Sequence, residues 1–463
     1  MALNQVIQTR PLDIGSEAVR EFREELRGDL LLPEDDGYDA IRAVWNGMID
    51  ERPAMIARCT GAADVIAAVK FARRNEIPAS VRGGGHNVAG KALTNGGLMI
   101  DLSLMKSIRV DPVDRTARVE PGVVWNELDR ETQAFGLAVT GGAVSTTGIA
   151  GMTLGGGIGY LNGKFGLTCD NLLSADVVTA KGELVHASPD EHDDLFWAIR
   201  GGGGNFGIVT SFEYQLHPLG LVLAGPLLYP IERARESLRF HREFVANVPD
   251  ELTVYAGFFT DPEGNKLAAL VPCYAGDIEE GKRLIQPLRE FGPPLADLVA
   301  PIPYTTLQTS FDEAFPPGRQ NYWKSSLLPA LTDEAIDTIV EYASSMTSPV
   351  SSIFIHHYHG AYSRVDSTAT AYRHRDPCHD VLILAAWTDP DESDTHVSWA
   401  RDFFKAMQPH VANKVFPNLL SHDEDMERIR SAYGDNYDRL VEIKDKYDPT
   451  NFFNQNQNIR PST

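Results

Sequence analysis

Cysteine is scarce in this chain. Four occur in 463 residues (Cys59, Cys169, Cys273 and Cys378), with no C-x-x-C pair. A disulfide scaffold is excluded at this length, and reduced thiols, as in a cytoplasm, are expected. Positive charge is also in short supply: 42 Lys and Arg stand against 64 Asp and Glu, a net charge of −22. Such a surface repels phosphate backbones, so neither nucleic acid nor an anionic membrane is expected as a partner. Long apolar runs are missing, and VLILAAW at 381–387 is too short to span a bilayer. The N-terminus MALNQVIQTRPLDIG has no basic stretch leading into an apolar one, so no secretory signal is expected and a cytoplasmic location is. Internal repeats, low-complexity tracts and charge blocks are absent as well.

What remains is an ordinary globular composition, 43% apolar and 23% charged, at a length that favours two or three domains. Residues 16 to about 75 carry helical patterns. The clearest is AADVIAAVKFARRNEI, with Val65, Ile66, Val69 and Ala72 on one face and basic residues at its C-terminal end. Short β segments follow (PASVR, GGLMIDLS, SIRVD, TARVEPG), then a helix over VVWNELDRETQAFG. Beyond a break at Pro218 to Gly225, strands such as LTVYAGFF, NYWKSSLL, SSIFIHHYHGAYS and DVLILAAW alternate with amphipathic helices. The pattern predicts an α+β chain: residues 1–220 as one domain, 221–415 as a second with a sheet flanked by helices, and a tail, 416–463, with a helix stopped at Asp448-Pro449 and an amide-rich end.

Glycine is dense from Thr140 to Gly207 and interleaved with Ile149, Met152, Leu154, Ile158 and Tyr160. Glycine lets main chain approach a ligand without a Cβ in the way, and apolar anchors argue against a linker. Gly202 to Gly207 satisfies G-x-G-x-x-G, but it follows a helix and precedes a strand, the reverse of a dinucleotide fingerprint. Arg82-Gly83-Gly84-Gly85-His86-Asn87 directly follows a strand, and its consecutive N–H groups form a nest suited to pyrophosphate. By itself His86 reads as a turn histidine or a functional one.

In order, SVRGGGHNVAG, VEPGVVWNEL, GGAVSTTGIAGMTLGGGIGYLNGKFGLTCDN, DDLFWAIRGGGGNFGIV and YDPTNFFNQNQNI resemble one family throughout. It is the berberine-bridge-enzyme-like group of FAD-linked oxidoreductases, within the vanillyl-alcohol-oxidase superfamily, and the bacterial branch with 6-hydroxynicotine oxidases is most similar. The resemblance implies a two-subdomain FAD module covered by a substrate domain, with the tail, 416–463, returning to the FAD module and FAD bonded covalently to His86. It also implies FAD contacts from Arg82 to Asn87, from Thr146, Thr147, Gly148, Gly151, Gly155, Gly156 and Gly159, from Cys169, Asp170 and Asn171, from Gly207, Ile208 and Val209, and from Asn454, Asn456, Gln457 and Asn458. A second, cysteinyl tether in some members falls here on Val144, so a single tether is expected.

The catalytic pattern departs from the family. A tyrosine motif near the C-terminus reads Phe416-Pro417-Asn418-Leu419, the tyrosine position two beyond the flavin histidine is Val88, and DVLILAAW lacks the carboxylate or amide that other members carry. Proton handling is therefore sought in the second domain. Strand alternation groups His357 with His359 and Tyr322 with Lys324, and these four are the catalytic candidates. The histidine spacing matches no common zinc signature, and no metal is expected. The expected activity is hydride transfer from an alcohol or amine C–H of a small or polycyclic organic substrate, with O2 as acceptor. A dehydrogenase using another acceptor, or a catalytically silent flavin- or metal-binding module, stands as the alternative. Either a monomer or a homodimer is compatible with the sequence.

Overall fold

The computed structural model describes residues 15–462; residues 1–14, on which the leader reading falls, lie outside them. Three sheets organise the chain. The first has four strands in the order Asp29–Leu31, Met55–Arg58, Leu98–Asp101, Ala79–Arg82, parallel except for the outer pair. Its crossover is the Ala62–Arg74 helix, which buries Val65, Ala68, Val69 and Ala72. Asp64 in the first turn of that helix is buried and accepts N–H groups from Arg27 (2.9 Å) and Thr60 (2.8 Å), tying the helix start to two loops.

The second sheet is antiparallel: Ile108–Asp111, Thr116–Val119, Ile208–Gln215, Leu172–Val178, Leu184–Ala187. The third is a nine-stranded antiparallel sheet that runs through Lys266–Tyr274, Leu252–Thr260, Ser352–Tyr358 and Cys378–Trp387 to an edge strand, Gln320–Leu328. One face of it carries Ile353, Ile355, Ile383 and Tyr322 against Leu238, Ile336, Ile339 and Phe403 of three covering helices. The other face roofs a cavity whose floor is made by the glycine segments.

The tail is held by one buried pair. The Tyr437–Tyr447 helix stops at Asp448, whose carboxylate accepts from Lys444 Nζ (2.7 Å) and from the N–H groups of Phe452 and Phe453 (both 2.8 Å). Lys444 also donates to the Asn205 carbonyl (2.8 Å), while Asn205 Oδ1 accepts the Ile459 N–H (2.9 Å). Residues 452–459 are thereby laid along the Gly203–Asn205 turn. Among the described residues no helix is long and apolar enough to cross a membrane.

Candidate active site

Two glycine segments meet back to back beneath the large sheet. A Cβ on Gly84 would lie 2.5 Å from Gly148 Cα, so neither position tolerates a side chain unless the backbone moves. The close approach lets Gly83, Gly84, Gly85, His86 and Asn87 line the cavity beside Thr147, Gly148, Gly151, Gly155 and Gly159. Gly207, Ile208, Val209, Asn456 and Gln457 complete that side. The cavity has about 400 Å³ and lies within the range of ligand pockets.

His86 contributes an imidazole to this floor. Its ring stacks on Trp45 with centroids 4.2 Å apart, and its buried Nε2 has no hydrogen-bond partner. Burial pushes the imidazole down to about 4, which keeps it neutral and nucleophilic at physiological pH. An orphaned ring nitrogen in a cavity wall beside a cradle that Cβ atoms would fill suits a covalently held FAD.

Several expected FAD contacts lie elsewhere. Arg82 turns away, its guanidinium donating to the Ile41 carbonyl and facing Asp101. Thr146 and Asn454 are exposed, Gly156 packs on Phe416 and Tyr372, and Asn458 is not in the cavity wall. Cys169 is buried among Leu167, Tyr358 and Tyr372, and burial raises its thiol above the ordinary range. Asp170 is paired bidentately with Arg375 (2.7 and 2.8 Å), and Asn171 bonds His217 (2.6 Å). By contrast, Val144 does line the cavity.

The four catalytic candidates do not reach the cavity. Tyr322 donates to Asp423 (2.8 Å) under the Ser393–Met407 helix, and Lys324 Nζ is buried between Asp423 (2.8 Å) and Glu424 (2.7 Å). Burial opposes ionisation of Asp423, yet the hydrogen bonds from Lys324 and Arg401 hold its carboxyl well below the usual range. His357 stacks between His359 (4.6 Å) and His379 (5.1 Å), and burial, helped by these neighbours, pushes it down to about 2. His359 lies just past the strand end, with Nε2 facing the Pro249 carbonyl.

The neighbours of these residues face the cavity instead: Trp323, Phe354 and His356, with Tyr255, Phe311 and Phe315. Leu382 and Leu384 line it from the Cys378–Trp387 strand. Asp380, two residues before Leu382, is a carboxylate at the start of this strand and on the same parity as Leu382. It is fully buried and lies across from His356, its Oδ2 3.3 Å from Nδ1. The sequence signal for the pair was available: Asp380 and Leu382 share a parity, as do Phe354 and His356. Asn418 lies between Phe416 and Leu419, the two positions of that motif where a tyrosine was sought. Its carboxamide donates to Gly151 O (3.0 Å) and accepts from Gly157 N–H (3.2 Å), which fixes the glycine segment.

Comparison with known proteins gives the family. Residues 53–188 match the model of an FAD binding domain, and residues 415–460 match "Berberine and berberine like". The chain is 33% identical to (R)-6-hydroxynicotine oxidase of Paenarthrobacter nicotinovorans, over 94% of this chain and 97% of the relative. It is 31% identical to an FAD-linked oxidoreductase of Dictyostelium discoideum, covering 96% and 97%. Among solved structures, a 6-hydroxy-D-nicotine oxidase from Arthrobacter nicotinovorans superimposes with a TM-score of 0.86 at 31% identity, covering 94% of this chain and 98% of the other. A chitooligosaccharide oxidase gives 0.85 at 25%, covering 96% and 100%. With these matches spanning nearly the whole chain, it belongs to the berberine-bridge-enzyme-like FAD-linked oxidoreductases.

Proposed function

We propose that this oxidoreductase carries FAD on a single covalent bond to His86 and works as an oxidase on a small or polycyclic organic substrate. The observation that carries the reading is the unpartnered, buried Nε2 of His86 in the cavity wall. When bound, FAD supplies a two-electron acceptor for hydride, with O2 as the final acceptor. The chain supplies the rest. Gly83 to Asn87 and Gly148 to Gly159 admit the cofactor's flat and phosphorylated parts to main-chain N–H groups, and Asn456 and Gln457 close the floor from the tail. Trp323, Phe354 and Leu384 exclude water from the reacting face and orient the substrate over it. Val144 in the wall and Cys169 outside it support the reading of a single bond.

The test is acid precipitation. Purified protein should stay yellow in the pellet, with one flavinylated peptide containing His86, and His86→Ala should release its flavin. Free FAD recovered from denatured wild type would overturn the tether. Oxygen consumption matched to H2O2 on substrate addition would establish the oxidase; turnover with a dye but not with air would replace it by a dehydrogenase.

A further inference from the structure

The cavity face of the large sheet holds one ionisable pair. Asp380 is fully buried, and its Oδ1 accepts from Ser325 Oγ at 2.6 Å. Its Oδ2 accepts from Tyr358 OH at 3.1 Å and faces His356 Nδ1 at 3.3 Å. The imidazole is wedged against Tyr255, with centroids 4.4 Å apart. Nδ1 is thus occupied by the carboxylate side, which leaves Nε2 as the proton-accepting nitrogen, and among the described residues nothing hydrogen-bonds it. A buried carboxylate that fixes the tautomer and stabilises the protonated ring is how an imidazole is made a base.

The rest of this wall limits what the base can act on. Tyr255, Phe311, Phe315, Trp323, Phe354 and Leu384 surround it. Phe311 meets Phe354 edge-on (5.9 Å, 88°), and Phe315 meets Trp323 in the same way (6.5 Å, 82°). Such edges and faces suit a flat aromatic ring. Lys91, on the His86 segment, is the one charged side chain in the wall among the described residues. Asp380 lies behind His356 and no charged side chain of the sheet lines the wall itself, so an ion placed against it would lose its hydration without a direct counter-charge. A sugar would likewise leave most of its hydroxyls unpaired.

We propose that His356, oriented by Asp380, is the catalytic base for an uncharged aromatic carbinol. The O–H bond breaks and its proton passes to His356 Nε2, while its electron pair becomes the second C–O bond. The adjacent C–H bond would give up its hydrogen with both bonding electrons, for which bound FAD would supply the two-electron acceptor, so the carbinol would become a carbonyl. This assignment rests on the FAD reading above and deepens it.

The experiment is anaerobic stopped-flow flavin reduction with probes from para-methoxybenzyl alcohol to anthracenylmethanol. Alongside them run para-(hydroxymethyl)benzoate, a trimethylammonio benzyl alcohol and cellobiose. Binding is read separately from quenching of protein tryptophan fluorescence. Neutral aryl carbinols should reduce the flavin, and the two charged analogues and cellobiose should be slower by at least an order of magnitude. His356→Ala should cut reduction by about 10²–10⁴-fold while binding changes only a few-fold. His356→Gln, which keeps the volume, separates loss of the base from loss of packing and should be as slow. Asp380→Asn should shift the pH profile of reduction, whose titrating surroundings are Asp380, Tyr358, Tyr255 and, behind Asp380, Arg428. Unchanged reduction in both His356 variants would overturn the base. Failure of every neutral carbinol, or faster reduction by an ion or cellobiose, would overturn the substrate class. Either failure, seen with acid-stable flavin still on His86, would leave the cofactor reading standing.

Discussion

Lys324 illustrates how a residue can have the chemistry of a catalyst and the place of a strut. Its ammonium is enclosed by Asp423 and Glu424, and the Tyr322 hydroxyl and the Arg401 guanidinium share the Asp423 carboxylate. Removing the cation leaves two half-buried carboxylates facing one another. Lys324→Met should therefore cost on the order of 3 kcal/mol of stability, read from urea unfolding. Flavin reduction per loaded molecule should stay within about two-fold of wild type. A loss of reduction rate at unchanged stability would return Lys324 to the chemistry. Cys169 makes the same point for reactivity. Its thiol is buried against Tyr358 and Tyr372 and pushed away from the thiolate, so Cys169→Ser should leave covalent flavin loading unchanged. A flavin–cysteinyl adduct at Cys169 would contradict the structure directly.

At the scale of elements, what the sequence revealed followed from contrast. The Ala62–Arg74 and Trp125–Gln133 helices, the Ile208–Gln215 strand after the glycine turn, and the helix end at Asp448-Pro449 all carry periodicity or punctuation that composition cannot hide. Face assignment in the large sheet had no such contrast. The Ser352–Tyr358, Cys378–Trp387 and Gln320–Leu328 strands are buried on both sides, so polar residues occur on either face. His357 and Lys324 were chosen for their chemistry, whereas His356 and Trp323 line the cavity. The segment Trp45–Gly47 was invisible for another reason: it is a non-local clasp. Trp45 N–H donates to Gly85 O, and its indole donates to Phe315 O (2.9 Å) while stacking on His86. Asn46 donates to Val88 O and Asn321 O and accepts from Asn321 N–H. The His86 loop is thereby stitched to the large sheet by hydrogen bonds on both sides. Trp45→Ala should lower the fraction of acid-stable flavin severalfold, and Trp45→Phe, which keeps an aromatic face but loses the indole donor, should restore most of it. Full loading of Trp45→Ala would show that the His86 ring needs no such backing.

The molecule as a whole encloses an unusual number of neutral histidines. His241, His357 and His379 form a chain of rings behind the large sheet, and His374 is buried beside the Ser431 carbonyl. Burial pushes His241 and His374 down to about 4, His379 to about 3 and His357 to about 2. The ordinary histidine value is near 6.5, so below it the unfolded chain binds protons that the folded chain refuses. The contribution of these histidines is thus complete above pH 6.5 and is lost as pH falls. Asp129 acts in the opposite direction. Burial raises its carboxyl to about 7, the folded state holds a proton that the unfolded state releases near pH 4, and that contribution is lost as pH rises. With His86, also held down to about 4, five histidines stand against one carboxyl and decide the sign. Each unmatched proton is worth ~1.4 kcal/mol per pH unit, which is not small against the stability of a typical protein. The melting temperature should therefore fall steeply between pH 6.5 and 4.5. The pairing of Asp423 with Lys324 extends the fall below pH 4, where the unfolded carboxyl takes up a proton that the folded one does not. His379→Gln removes one titrating ring, so its difference from wild type should narrow as the solution is acidified. Equal melting temperatures at pH 7 and pH 5, or a parallel fall in the variant, would show that these rings accept protons in the folded state.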